Sequence, residues 1–181
     1  MLVKRKWTFF FLTTALSLLL VGCSVSEEEV IDYAEGMFAE KVETEPAEQN
    51  TETDNFDLYL PSFATINEED ENNLLIEERN RMYVLFADEY MDMPKDIGGL
   101  KEKLNIEDEP LILEMENFDG GDTFLFIKPY DHGEGDDEDS ENYEVVIGFN
   151  EMKISSILPI SDLAEGTEEM FDIVRSAEKS E

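Results

Sequence analysis

The side chains through which this 181-residue chain can do chemistry are one cysteine, one histidine and 46 carboxylates. A lone cysteine makes no internal disulfide and no thiolate zinc cluster. A lone histidine builds no two-histidine metal site. His132 sits in Asp131-His132-Gly133-Glu134-Gly135, a glycine-rich, solvated stretch. A general base needs a nucleophile or a buried carboxylate to hold it in place, and such a stretch fixes neither. The run Asp136-Asp137-Glu138-Asp139-Ser140-Glu141 offers oxygen ligands. Calcium, however, requires six to eight of them on a loop bent to enclose the ion. Here the glycines precede the acids and nothing turns the chain midway. The run reads as a solvated excursion between two strands that attracts divalent cations without specificity. With 46 candidates, no carboxylate pair stands out as a glycosidase acid and base. There is no Gly-x-Ser-x-Gly, no Ser-x-x-Lys and no phosphate-cradling glycine loop with its lysine. We assign no catalytic, metal or cofactor-binding residue and expect no cofactor.

Cys23 is different, because its surroundings are specific. Lys4, Arg5 and Lys6 are followed by an uncharged, mostly apolar run, Trp7 to Val21, of 15 residues. That is the length of a secretory apolar region and short of the roughly 20 residues that span a bilayer. The run ends in Leu20-Val21-Gly22-Cys23. This resembles the lipobox of bacterial lipoproteins, with an aliphatic residue three before the cysteine and a small residue directly before it. The resemblance implies a diacylglyceryl group on the Cys23 thiol and cleavage between Gly22 and Cys23. Two acyl chains, at ~0.8 kcal/mol per buried CH₂, hold a protein where one chain binds only marginally. The expected location is the outer face of the cell membrane, through lipid.

The elements that would carry such an anchor follow it. Residues 1–22 read as signal peptide, 23–55 as an acidic tether and 56–181 as a single domain. Ser24 to Asn55 holds 11 acidic residues and one basic residue, Lys41. Val30, Tyr33, Ala34, Met37 and Phe38 recur at helical spacing, predicting a short amphipathic helix over 27–41 that docks on its own domain, forms only transiently, or faces a partner. Glu43 to Asn55 has no large apolar residue and reads as linker. A flexible tether of this length reaches about 30 Å.

Within the domain, Phe56 to Leu60 alternates and stops at Pro61, and Asn67 to Asn73 is a polar turn cluster. Leu74–Glu77 and Met82–Ala87 form a hairpin across Arg79-Asn80-Arg81. Pro94 to Leu104 is helical, with Gly98-Gly99 costing ~1 kcal/mol each relative to alanine. Leu111–Met115, Thr123–Lys128, Tyr143–Phe149 and Ile154–Leu158 are strands. Ser161 is the expected N-cap of a last helix bearing Leu163, Thr167, Met170, Phe171 and Val174 on one face. Arg175 and Lys179 suit its C-terminal dipole. The class is α+β, an antiparallel meander sheet with a mid-chain and a C-terminal helix packed on it. Leu58-Tyr59-Leu60-Pro61-Ser62-Phe63 is similar to the opening of PsbP-like domains, which implies an α/β/α sandwich. Asn73–Ile76, Tyr83–Phe86 and Met170–Ser176 resemble small uncharacterised lipoproteins of Gram-positive spore-forming bacteria, and no activity comes with that resemblance.

The formal charge of −33 argues against nucleic acid, whose phosphates need clustered Lys and Arg. Three of the 13 basic residues precede Cys23 and every acid follows it, so a chain beginning there is more acidic still. Surface carboxylates of this density suit a saline or alkaline exterior. Glu77, Glu114 and Glu144 are then expected on polar faces. The reading favoured by the sequence is a non-enzymatic binding or accessory module of the envelope, held to the membrane by lipid and meeting an envelope protein. The alternatives are a carboxylate-based enzyme acting on cell-wall polysaccharide and a weak cation or solute binder.

Overall fold

The computed structural model describes residues 26–87, 93–118, 120–130 and 141–180. Helix α1 (Glu27–Glu43) comes first, followed by short strands β1 (Thr51–Glu52) and β2 (Phe56–Leu58). A meander of β3 (Ala64–Glu69), β4 (Asn73–Glu78) and β5 (Arg81–Ala87) leads to helix α2 (Ile97–Lys103). A second meander follows, of β6 (Ile112–Phe118), β7 (Gly121–Pro129), β8 (Asn142–Phe149) and β9 (Met152–Pro159). Helix α3 (Ile160–Ser176) and strand β10 (Glu178–Lys179) close the chain. The large sheet has seven antiparallel strands in the order β3-β4-β5-β9-β8-β7-β6. The meanders join where β5 pairs with β9, Val84 opposite Ser155. A smaller sheet, β1-β2-β10, sits at the C-terminal end of α3.

Helices cover both faces of the large sheet. Its inner face packs Leu85, Leu125, Val145, Ile147 and Ile154 against Phe171 and Val174 of α3 and Phe38 of α1. On the outer face, Leu100 of α2 meets Phe124, Phe126 and Val146 in a second, smaller core. This explains why β8 does not alternate cleanly. Val146 lies under α2, and Gly148 leaves room for the Phe124 ring, whose Cε1 would be 2.1 Å from a β-carbon there. The α+β class and the antiparallel meanders stand as expected, and the layers are those of an α/β/α sandwich.

The acidic tether does not. Residues 27–43 form a helix whose Val30, Ala34, Met37 and Phe38 are buried in the main core. Burying Val30, Met37 and Phe38 stabilises by about 1.5–3 kcal/mol each. The stretch after it is pinned as well: Gln49 Nε2 donates to Ser176 O at 2.8 Å, and Thr51–Glu52 pairs with Asp57–Leu58. Among the described residues the folded unit therefore already includes Ser26, and does not wait until Phe56. The amphipathic period over 27–41 does form a helix, and it docks on its own domain.

Other corrections are local. Residues 64–69, partly read as turn, form the edge strand β3, and the turn narrows to Asp70–Asn72. There Asp70 Oδ1 accepts from the backbone of Asn72 and Asn73, both at 2.8 Å. Helix α2 starts at Ile97, capped by Asp96 accepting from Gly99 N, and not at Pro94. Helix α3 starts at Ile160 behind Pro159, without a side-chain cap, so Ser161 is not its N-cap. Lys179 belongs to β10, not to the helix end. Glu114 lies on the inner face, near Glu35 of α1, instead of on a solvated one. Burial together with Glu35 and Glu116 raises its pKa above the usual carboxylate range.

Candidate functional site

Gly22, Cys23, His132 and the acids Asp131 to Asp139 lie outside the described residues, while Glu141 is described and exposed. What the structure does show is how helix α1 starts. Ser26 closes a capping box: its Oγ accepts from Glu29 N, and Glu29 Oε2 accepts from Ser26 N, both at 3.3 Å. Glu27, Glu28 and Glu29 occupy the first turn, where the helix dipole favours negative charge. The Tyr143 hydroxyl donates to Glu27 Oε2 at 2.6 Å, fixing this helix end over the start of β8. The Ser26-x-x-Glu29 spacing is legible in the sequence and marks the start of the helix.

The other end of α1 is held by α3. The Arg175 guanidinium donates to the carbonyls of Lys41 and Thr44, the second at 2.9 Å. It therefore caps the negative end of α1 and not that of its own helix. Its charge lies 5.5–5.8 Å from the ring centres of Phe118, Phe149 and Phe171. Burial lowers its pKa below the ordinary arginine value. Lys41 reaches back to Asp172 at 2.7 Å and Glu168 at 3.3 Å. The two helices thus run parallel, both starting at one end of the sheet.

Carboxylates converge at the β4–β5 hairpin. Glu78 and Arg81 are the last pair of the ladder and are 1% and 3% exposed. Arg81 Nε donates to Glu78 Oε2 at 3.0 Å, and its other nitrogens lie 3.2 Å from Glu165 and Glu169. The Tyr83 hydroxyl donates to Glu169 at 2.8 Å. Burial raises the Glu169 pKa, more than offsetting the Tyr83 hydrogen bond and the Arg81 charge. Burial and the same hydrogen bond raise that of Tyr83. Glu165, at the exposed side, is lowered by its bonds to Arg79 and Arg81. Each of these carboxylates is thus held by arginine or tyrosine, which suits locking a hairpin to α3 and leaves no pair flanking a substrate. Read along the chain, Glu78-Arg79-Asn80-Arg81 is an ordinary polar turn. Its partners come from a helix some 90 residues later, which no local signal indicates.

One cleft, of about 610 Å³, opens between the segment after α2 and the ends of β7 and β8. Its floor is apolar (Leu104, Ile106, Phe126, Val146), and Glu107, Asp108 and Glu109 line it. Lys128 bridges to Glu144 at 3.0 Å and lies over the Phe126 ring. An apolar floor with acidic walls favours a basic, partly apolar segment. Among the described residues, no group of three or more His, Cys, Asp or Glu is arranged to hold a metal ion. Also among the described residues, no helix is long and apolar enough to cross a membrane.

No protein-family model matches this chain. No curated protein matches it either. Among solved structures it is similar to the solution structure of cyanobacterial PsbP (CyanoP) from Synechocystis sp. PCC 6803. The TM-score is 0.41 and the identity 12%, over 77% of this chain and 95% of that one.

Proposed function

We propose that the chain is a lipoprotein of the outer face of the cytoplasmic membrane in a Gram-positive bacterium, and that its domain is a non-enzymatic binding or accessory module of the envelope. The observation that carries this reading is Leu20-Val21-Gly22-Cys23 at the end of a basic-then-apolar leader, with the chain's one cysteine at the position that receives lipid. The domain's geometry supports the second half. Its converging carboxylates hold the hairpin to α3, and its cleft has the apolar floor and acidic walls of a surface for a basic partner segment. An acidic chain is repelled by anionic headgroups, so lipid, not the polypeptide, supplies the membrane affinity. Fractionation of cells making the chain or its Cys23→Ala variant tests the anchor. The parent should sediment with membranes and the variant should not. Equal membrane recovery of both would refute lipid attachment at Cys23.

A further inference from the structure

Three peptide units separate Cys23 from Ser26, and at full extension they span at most about 11 Å. Ser26 is already part of the rigid domain, through its capping box and the Tyr143–Glu27 bond. A diacyl anchor on Cys23 therefore leaves the domain little slack, and the end of the sheet beneath α1's N-terminus must stay near the bilayer.

That end can be traced strand by strand. Tyr143 pairs with Pro129 and Leu158, and Asn142 with Pro159, where α3 begins. Ser156 Oγ donates to Met82 O at 2.7 Å, tying the same end of β9 to the start of β5. Arg81 faces Glu78, and Glu78 faces Ala64 at the start of β3. Phe63 directly precedes that strand. It is 71% exposed, the highest value among the exposed large apolar side chains described. Four strand spacings of about 4.8 Å, roughly 19 Å, separate it laterally from the anchor side. Tyr130, Met82 and Ile157, also exposed, belong to the same end. The Arg79 guanidinium lies 5.6 Å from the Phe63 ring centre and is neutralised by Glu165 at 3.0 Å and Glu78 at 3.3 Å. Phe63 thus presents an apolar ring beside an arginine whose charge is already paired. Apolar faces bearing Phe, Leu or Trp bury into the headgroup–acyl boundary, and tyrosine with its wet hydroxyl settles at the interface.

We infer that this end of the sheet faces the lipid surface, with Phe63 seated in the headgroup region and Tyr130 beside the bilayer. The inference rests on the lipid attachment at Cys23 proposed above. The opposite end, with the Asn150–Glu151 turn, then points away, about 26 Å further along β8. Because Glu27, Glu28, Glu29 and Glu141 lie at the lipid-facing end, contact is closer on zwitterionic than on anionic lipid at low salt, and salt narrows the difference.

The chain's one tryptophan, Trp7, precedes the cleavage site, so the mature protein has none and a single introduced tryptophan reports its own depth. The acylated Phe63→Trp, Tyr130→Trp and Glu151→Trp proteins would be purified and reconstituted into phosphatidylcholine vesicles with brominated or plain acyl chains. Co-flotation with the vesicles is scored first. On brominated vesicles the tryptophan at 63 should lose at least about half its emission relative to plain vesicles, that at 130 should be quenched in the same sense, and that at 151 should be unchanged. Proteins that co-float with equal emission at all three positions, or with position 151 quenched instead, would overturn the orientation and leave the anchor standing. Failure to co-float would overturn the anchor and the orientation with it.

Discussion

Truncating Phe38 to alanine separates a domain that includes α1 from one that merely trails it. The ring is fully buried and meets the Phe171 ring edge-on, with centroids 5.6 Å apart. Phe→Ala in a core costs about 3–5 kcal/mol in transfer and cavity terms. The edge-to-face pair is worth about 0.5–1.5 kcal/mol of that environment. Its neighbours Met37 and Ala34 are themselves buried on a helix locked by Arg175, so the void cannot collapse freely. We expect a loss of about 4 kcal/mol. The assay is urea unfolding of the mature chain carrying Cys23→Ser. With a slope of about 2 kcal/mol per molar, the midpoint should fall by about 2 M. Tyr33→Ala on the same helix is the control. It is 47% exposed and forfeits one surface hydrogen bond to Glu168, so it should cost below about 1 kcal/mol. A Phe38→Ala midpoint within error of the Tyr33→Ala midpoint would refute the integration of α1 and restore a flexible tether of residues 23–55.

Two further outcomes follow from the charged groups. Arg81→Ala leaves Glu78 buried without its cation and should cost about 3–5 kcal/mol in the same unfolding assay. Arg79→Ala, whose parent is half-exposed, should cost under about 1 kcal/mol, and equal losses would contradict the burial of the Arg81 cluster. Glu114 has its pKa raised, so the folded state holds the proton more tightly than the unfolded chain. Its ionisation opposes folding above the folded pKa, and stability returns as pH falls through that value toward the unfolded one. Glu114→Gln should therefore raise the melting temperature at pH 7 and leave it unchanged once the pH is below the ordinary glutamate range. Destabilisation at pH 7 would refute this sign.

What the sequence discloses here depends on whether the signal is local. The β4–β5 hairpin is legible because Leu74, Ile76, Tyr83 and Leu85 alternate on the buried face, a pattern of period two. Edge strand β3 hides because Ala64-Thr65-Ile66-Asn67-Glu68-Glu69 shows one large apolar side chain, and pairing with β4 rests on backbone bonds. Helix α1 is visible as an amphipathic period, yet its docking depends on Phe171 and Arg175, more than 130 residues away. A run so acidic reads as solvated because its few apolar residues point one way, and that one face is what the core takes. The same distance conceals the Glu78–Arg81–Glu169 cluster. Conversely, Cys23 is legible without any structure, since signal processing reads a linear segment. The structure adds that Ser26, three residues after Cys23, already belongs to the folded domain.

The lipid anchor stands or falls on the chemistry of Cys23. Mass spectrometry of the amino-terminal peptide from the membrane-extracted protein measures it. We expect a peptide beginning at Cys23 whose thiol carries a diacylglyceryl group in thioether linkage. A mature amino terminus elsewhere, or Cys23 recovered as a free thiol, would contradict the lipid anchor and the membrane-facing orientation built on it.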